Sequence, residues 1–202
     1  MLFSNELSLF SKDRIVKSSA GGVALSVLLV LGACTTSVQN QDDRTITSEQ
    51  AEFAFFNHDY ETARVFYEQQ CSDGRVDSCR KLGFVLVKDP QQPDDIVRAR
   101  GLFEEACGAG WTEACFNLGL MLNNGDGGSK DLVRARQLFD RTCAEDNAEG
   151  CTRAGAMYML GDGGPKDPEN GATFFEKGCR LGDEQGCTAL EKAKQSETAA
   201  RS

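Results

Sequence analysis

The sequence lacks the residue patterns from which metal centres and redox sites are usually built. It has one histidine, His58, and none of its nine cysteines stands in a C-x-x-C pair. Zinc sites usually show such pairs or histidine partners, and redox-active dithiols also favour C-x-x-C. We therefore predict no metal site and no cofactor.

The chain is also short of positive charge. It carries 22 lysines and arginines against 31 aspartates and glutamates, which gives a net charge of −9 at pH 7. Such an acidic balance opposes binding to phosphate backbones and to anionic lipid surfaces. We therefore expect no nucleic-acid partner.

Eight of the cysteines recur in a regular pattern. Each pair has the spacing C-x7-C, and the first members of successive pairs are 36 residues apart. The pairs are Cys71 with Cys79, Cys107 with Cys115, Cys143 with Cys151, and Cys179 with Cys187. A fixed period of this length is typical of a helical repeat array.

The spacing within each pair indicates a hairpin of two helices. Eight residues along one helix rise roughly 12 Å, whereas the Cα atoms of a disulfide lie about 5.5 Å apart. The chain must therefore reverse between the two cysteines. Gly74, Gly110 and Gly182 lie where a left-handed residue would end the first helix, and Asp146-Asn147 take that place in the third copy. We predict four structural disulfides, each worth roughly 2–3 kcal/mol to its hairpin.

Apolar residues recur at helical spacing on both sides of the cysteine turn. In the second copy this pattern includes Leu102 before the turn and Leu118 after it. Thr47 begins a capping-box pattern, and Asp167-Pro168 is a typical start for a later helix. The sequence therefore predicts an all-α fold, an α/α solenoid of four disulfide-clipped helix hairpins. A lone helix is expected beneath the first of them.

The N-terminal segment predicts export and lipid anchoring. The apolar stretch Ala20–Ala33 follows Lys12, Arg14 and Lys17, and its length suits a signal peptide better than a membrane span. It ends in Leu-Gly-Ala-Cys34, which resembles the lipobox of bacterial lipoproteins. The resemblance implies that Cys34, the one cysteine outside the pairs, is acylated and becomes the first mature residue.

These features divide the chain into four parts. Residues 1–33 form the lipoprotein signal peptide, and 34–47 form a lipidated, flexible tether. The solenoid spans 48–191, and 192–202 form a fraying helix end or a disordered tail. The four repeats span about 58–93, 94–129, 130–165 and 166–191.

The repeat pattern resembles a known family. The C-x7-C helix pairs, the 36-residue period and the Gly-Asp-Gly-Gly loops at 125–128 and 161–164 look like Sel1-like repeats. More narrowly, they resemble the cysteine-rich Hcp-type proteins, which are relatives of tetratricopeptide repeats. The resemblance covers residues 48–191. The first copy departs from it, with Asp-Pro-Gln-Gln at 89–92 in place of the glycine loop.

The family resemblance implies two classes of function. Sel1-like proteins are adaptors that hold proteins or peptides in a concave groove, so we expect a protein or peptide of the cell envelope as the partner, or a peptidoglycan-related ligand. Hcp-type members imply the alternative, a penicillin-binding protein with weak β-lactamase activity. The lipobox, followed by Thr35, implies an outer-membrane lipoprotein facing the periplasm, with the cell surface and the inner membrane as alternatives.

Two features are candidates for partner binding. Arg64, Arg100 and Arg136, which we call the arginine ladder, occupy one register on the first helix of three copies and would suit a partner's carboxylates. Alternatively, each forms an ordinary intrahelical pair with the acidic residue four places later. Those acids are Glu68, Glu104 and Asp140. Trp111, in a hairpin turn, would either anchor an interface or cover its own disulfide.

The sequence offers little for catalysis. Ser78 and Lys81 match the S-x-x-K pattern of serine β-lactamases, but neither S-D-N nor K-T-G occurs. Other copies carry alanine or glycine at the serine position, which favours a helix-start role. We therefore assign no catalytic residue and keep Ser78 and Lys81 as weak candidates.

Overall fold

The computed structural model describes residues 46–201, and the fold is an array of helices within that range. It contains nine α-helices there and no β-strand. They are α1 (Ser48–Phe56), α2 (Tyr60–Ser72), α3 (Val76–Lys88), α4 (Asp95–Gly108), α5 (Thr112–Asn124), α6 (Leu132–Ala144), α7 (Ala148–Leu160), α8 (Pro168–Arg180) and α9 (Glu184–Arg201). The predicted signal peptide, Cys34 and most of the predicted tether lie outside the described residues. None of the helices between 46 and 201 is both long and apolar enough to cross a bilayer.

A disulfide joins the two helices of every hairpin. The bonds connect α2 to α3, α4 to α5, α6 to α7 and α8 to α9, between Cα atoms 4.6, 4.6, 4.4 and 4.5 Å apart, respectively. In the same order, the bonded residues are Cys71 with Cys79, Cys107 with Cys115, Cys143 with Cys151, and Cys179 with Cys187. These are the four pairs expected from the cysteine spacing. The prediction of an all-helical solenoid built from clipped hairpins is confirmed.

The turn between the paired cysteines reverses the chain through one left-handed residue. Gly74, Gly110 and Gly182 have φ values of +83°, +96° and +101°, and Asp146 takes the same role with φ +60°. Glycine adopts this region without a steric cost, and aspartate tolerates it. The predicted turn positions are therefore confirmed in all four copies.

Side chains cap α1 and the first helix of three of the four hairpins. Thr47 forms the predicted capping box with Gln50, and Asp167 caps α8, where Pro168 is the first residue. Asp59 and Asp131 cap α2 and α6 in the same way. The fourth member of this register, Asp95, instead lies inside the first turn of α4 and is fully buried.

Successive hairpins interlock through an aromatic ring and a glycine. Phe139 on α6 is 1% exposed, and its ring lies against Gly119 on α5. A Cβ atom added at Gly119 would come within 2.8 Å of that ring. The same contact recurs 36 residues earlier and later, between Gly83 and Phe103 and between Gly155 and Phe175. The repeat interface thus depends on a missing side chain in the middle of α3, α5 and α7.

The two ends of the array differ from its middle. At the N-terminal end α1 packs on the first hairpin through Phe55, whose ring centroid lies 5.9 Å from Tyr67 and 5.3 Å from Phe84. The expected lone helix is therefore present, and it leaves Phe56 74% exposed. At the other end α9 includes residues 192–201, so this segment is helical.

We predict that Gly119→Ala destabilises the protein by about 1–3 kcal/mol, because the buried ring of Phe139 has no room to move away. Gly101→Ala is the matched control. Gly101 lies on the exposed side of α4 with no heavy atom within 4 Å of an added Cβ, so alanine there should stabilise the helix by about 0.5–1 kcal/mol. Urea unfolding measures both. Stabilisation by both variants would show that the interface is not tightly packed.

Candidate functional site

A groove runs across the second helices of the first three hairpins. It consists of two adjoining clefts that share Phe84 on α3 and Glu113 and Asn117 on α5. The first cleft extends to Phe56 on α1, and the second extends to Glu149 on α7. We call this surface the central groove. It presents aromatic rings between polar and charged side chains, which is the composition of a recognition surface.

An alternating chain of charges crosses one end of the central groove. Lys81 contacts Glu52 of α1 and lies 3.3 Å from Asp77, and Arg80 contacts Asp77 at 2.9 Å and Glu113 of α5. Burial alone would raise the pKa of Asp77, but the hydrogen bond from Arg80 and the charge of Lys81 outweigh it and lower that pKa below 3.8. The chain of ion pairs connects α1, α3 and α5 along the first cleft.

Trp111 lies at the edge of this charged end. It is the residue preceding α5 and is 41% exposed. The guanidinium carbon of Arg80 lies 5.2 Å from the centroid of the indole, a cation–π distance. Trp111 thus presents an exposed aromatic surface that Arg80 holds in place.

The arginine ladder is engaged within the protein, and two of its three residues are buried. Arg64 donates two hydrogen bonds to Asp95, at 2.8 and 2.9 Å. Arg100 donates to the carbonyl oxygen of Ser129 at 3.1 Å, and Arg136 donates to that of Pro165 at 3.1 Å. Each acceptor lies at the start of the next repeat or in the loop leading to it. Partner carboxylates would have to compete with these bonds, so the geometry makes the ladder a set of ties between repeats.

The predicted intrahelical pairs form only once. Arg64 contacts Glu68 at 3.2 Å, as expected. Glu104 instead contacts Arg134, and Asp140 accepts a hydrogen bond from the hydroxyl of Tyr158 at 3.2 Å. The expectation fails for the second and third copies because the inter-repeat loops, which sequence spacing does not locate, draw the guanidinium groups away.

The first of these ties includes the most deeply buried charge in the described residues. Asp95 is 0% exposed, and besides Arg64 it accepts hydrogen bonds from the backbone N–H groups of Gln91 and Gln92 at 2.8 and 2.9 Å. The hydrogen bonds from Arg64 lower the pKa of Asp95 to about 2, against the opposing effect of burial. The Asp-Pro-Gln-Gln segment that replaces the glycine loop therefore wraps around a carboxylate.

We predict that this carboxylate makes the protein sensitive to acid. Between the ordinary pKa of 3.8 and the folded value of about 2, the unfolded chain binds a proton more readily than the folded protein. The stabilisation is therefore complete above about pH 4 and is lost as the pH falls towards 2. Asp95→Asn should lower the stability by about 1–3 kcal/mol at neutral pH, with the difference from wild type shrinking in acid.

Urea unfolding at a series of pH values tests this expectation. Asp94→Asn is the control, because the neighbouring Asp94 is exposed and its side chain makes no capping hydrogen bond. If the two variants follow the same pH profile, Asp95 is not the group responsible.

The weak catalytic candidates do not form a site. Ser78 is 8% exposed in the first turn of α3, and Lys81 is held by Glu52 and Asp77. Within residues 46–201 no hydrogen bond joins Ser78 to Lys81. His58 is exposed in the turn before α2, with its ring stacked on Tyr60 at a centroid distance of 5.7 Å. The structure therefore offers no support for the β-lactamase alternative.

Sequence reasoning missed most of the central groove. The repeat pattern does not reveal Phe84, Arg80 and Asn117, because the other copies carry different residues at the corresponding positions. One signal was available, because an acid recurs 36 residues apart at Asp77, Glu113 and Glu149, near the starts of α3, α5 and α7. It marks the helices that line the groove.

Clipped hairpins stacked at a constant period define an α/α solenoid, and comparison with known proteins agrees. The Sel1 repeat family model matches residues 76–111, 112–147 and 148–183, three windows of 36 residues that make up 108 of the 202 residues. The chain belongs to the Sel1 repeat family. The three matched windows begin at α3, α5 and α7, so the bonds Cys107–Cys115 and Cys143–Cys151 each join two consecutive matched repeats.

Solved structures share the fold. The c5321 protective antigen of uropathogenic Escherichia coli superposes with a TM-score of 0.64 at 18% identity, covering 75% of this chain and 33% of that one. A Sel1 repeat protein from Oxalobacter formigenes gives 0.62 at 18% identity, with coverage of 71% and 59%. This chain thus spans less than two thirds of either. Helicobacter pylori cysteine-rich protein B gives 0.51 at 26% identity, with coverage of 71% and 98%. No curated protein sequence matches the chain.

Proposed function

We propose that this protein is an adaptor of the cell envelope that binds a polypeptide segment in the central groove. The observation that carries the proposal is the groove itself, in which aromatic and amide side chains lie beside a fixed chain of ion pairs. Sel1 repeats generally mediate binding between proteins, so the family supports the same class of function. A rigid, pre-formed groove lowers the entropy lost when a flexible peptide binds.

The middle of the groove suits the backbone of an extended peptide. Asn117 lines both clefts, and its side-chain amide makes no hydrogen bond within the described residues. An amide offers both a donor and an acceptor, which matches the N–H and C=O groups of a peptide. Phe56 at one end would receive an apolar side chain, and Glu149 at the other end would favour a basic one. Apolar and basic side chains would therefore enter at opposite ends of the groove.

The proposed location is the periplasmic face of the outer membrane, with Cys34 as the lipidated residue. Support comes from the lipobox-like sequence and from the disulfides, since four structural disulfides persist in oxidising compartments and are rare in the cytosol. A lipid at Cys34 would hold the groove near the membrane.

Site-specific photocrosslinking in intact cells tests the proposal. Benzoylphenylalanine at Asn117 places the probe in the groove, and the same residue at Val133 is the control, because Val133 is 56% exposed on α6 outside the groove. We expect a discrete adduct with an envelope protein from position 117 and none from position 133. Identical adducts from both positions, or adducts from 133 alone, would contradict the groove as the binding surface.

A further inference from the structure

The last repeat lacks the arginine that the first three share. At the register of Arg64, Arg100 and Arg136 the fourth copy has Ala172. An open cleft lies at this place, between α8 and the C-terminal half of α9, with Met159, Ala172 and Leu190 among its walls. We call it the C-terminal cleft. It lies at the far end of the array from α1.

The third repeat shows what normally fills this space. The guanidinium carbon of Arg136 lies 3.5 Å from the centroid of the Tyr158 ring, and Arg136 donates to the carbonyl of Pro165. The following loop covers it so closely that a Cβ atom at Gly164 would come within 2.6 Å of its Nη1 atom. The guanidinium of Arg136, the ring of Tyr158 and the backbone of the following loop therefore pack against one another.

All three groups are missing from the fourth repeat. Ala172 replaces the arginine, and Lys194 stands in the register of Tyr158. Where a loop follows the 13 residues of α7, α9 continues as a helix of 18 residues to Arg201. Leu190 is consequently half-buried, whereas its counterparts Leu118 and Ala154 are 1% and 0% exposed. The fourth repeat therefore lacks the cover that the others have.

The acidic residues of the pattern are retained. Glu176 occupies the register of Glu68, the residue that contacts Arg64 in the first repeat. Glu176 and Glu169 both line the C-terminal cleft and are exposed, and neither forms an ion pair with a residue whose side chain the structure describes. The cleft therefore keeps the carboxylate of the pattern but not its arginine, and the cation that lines it is the exposed Lys194 of α9.

We propose that the C-terminal cleft is a second docking site, distinct from the central groove, for an extended polypeptide segment that inserts an arginine or lysine side chain beside Glu176. The segment's backbone takes the place of the loop that covers Arg136 in the third repeat. Its apolar neighbours pack on Met159 and Leu190, and its cation completes the charge pattern of the array. The ligand would thus make the contacts that Arg136 and its covering loop make in the third repeat.

The test uses two labelled peptides, acetyl-Gly-Leu-Arg-Leu-Gly-amide and the same peptide with citrulline for arginine. Fluorescence anisotropy measures their binding to the full chain in detergent micelles. We expect the citrulline peptide to bind roughly tenfold or more weakly, since citrulline keeps the shape and loses the charge. Equal binding of the two peptides, or no binding of either, would overturn the proposal.

Variants locate the site. Ala172→Arg fills the cleft with the protein's own guanidinium and should abolish binding of the arginine peptide, and Glu176→Gln should weaken it roughly tenfold. Thr188→Arg is the control, because it adds the same charge at an exposed position of α9 outside the cleft. It should leave binding unchanged.

Thermal unfolding shows whether the variants remain folded. The Ala172→Arg variant should unfold at the same temperature as wild type or at a higher one. Equal binding by the Ala172→Arg and Thr188→Arg variants would overturn the proposal. So would self-association that Ala172→Arg abolishes in sedimentation, because the occupant would then be a second copy of the chain.

Discussion

The disulfide across each hairpin turn is the constraint on which the rest of the structure depends. Each solenoid repeat contacts only its neighbours, so the buried core from Ala51 to Met157 is spread along the array and each hairpin contributes a few residues to it. A bond between Cys107 and Cys115 keeps the Cα atoms 4.6 Å apart and removes much of the freedom of the unfolded loop. With both helices of a hairpin fixed against each other, every hairpin presents the same surface to the next one. Because the period is a constant 36 residues, successive hairpins then pack on one another in the same way.

Two kinds of contact carry that geometry from one repeat to the next. On one side, rings such as Phe139 enter the space left by glycines such as Gly119. On the other, the arginine ladder binds the loops that lead into the following repeat. Both contacts keep the second helices α3, α5 and α7 aligned, and those helices line the central groove. At the last repeat the ladder ends in Ala172, and the C-terminal cleft opens because nothing replaces the missing guanidinium.

The sequence predicts features of this fold that depend on neighbours along the chain, and it misses those that depend on contacts between repeats. The cysteine spacing, the left-handed turn residues and the Thr47 cap are local, and the structure confirms them. Arg100 and Arg136 find their partners 26 to 29 residues away, in loops whose path no spacing rule describes. Arg80 and Asn117 lie in the groove only because α1, α3, α5 and α7 converge there. The sequence shows that residues 89–92 depart from the Gly-Asp-Gly-Gly loop of the later copies. It does not show that this segment surrounds the buried carboxylate of Asp95.

We propose that the disulfide-clipped solenoid is attached to a lipid anchor in an oxidising compartment. Mass spectrometry of the intact protein purified from cell envelopes without reductant tests this most directly. We predict a mature chain that begins at a lipid-modified Cys34 and gains two hydrogens for each of its four disulfides on reduction. A chain that retains residues 1–33, with its paired cysteines present as free thiols, would contradict both the proposed location and the role of the disulfides in the fold.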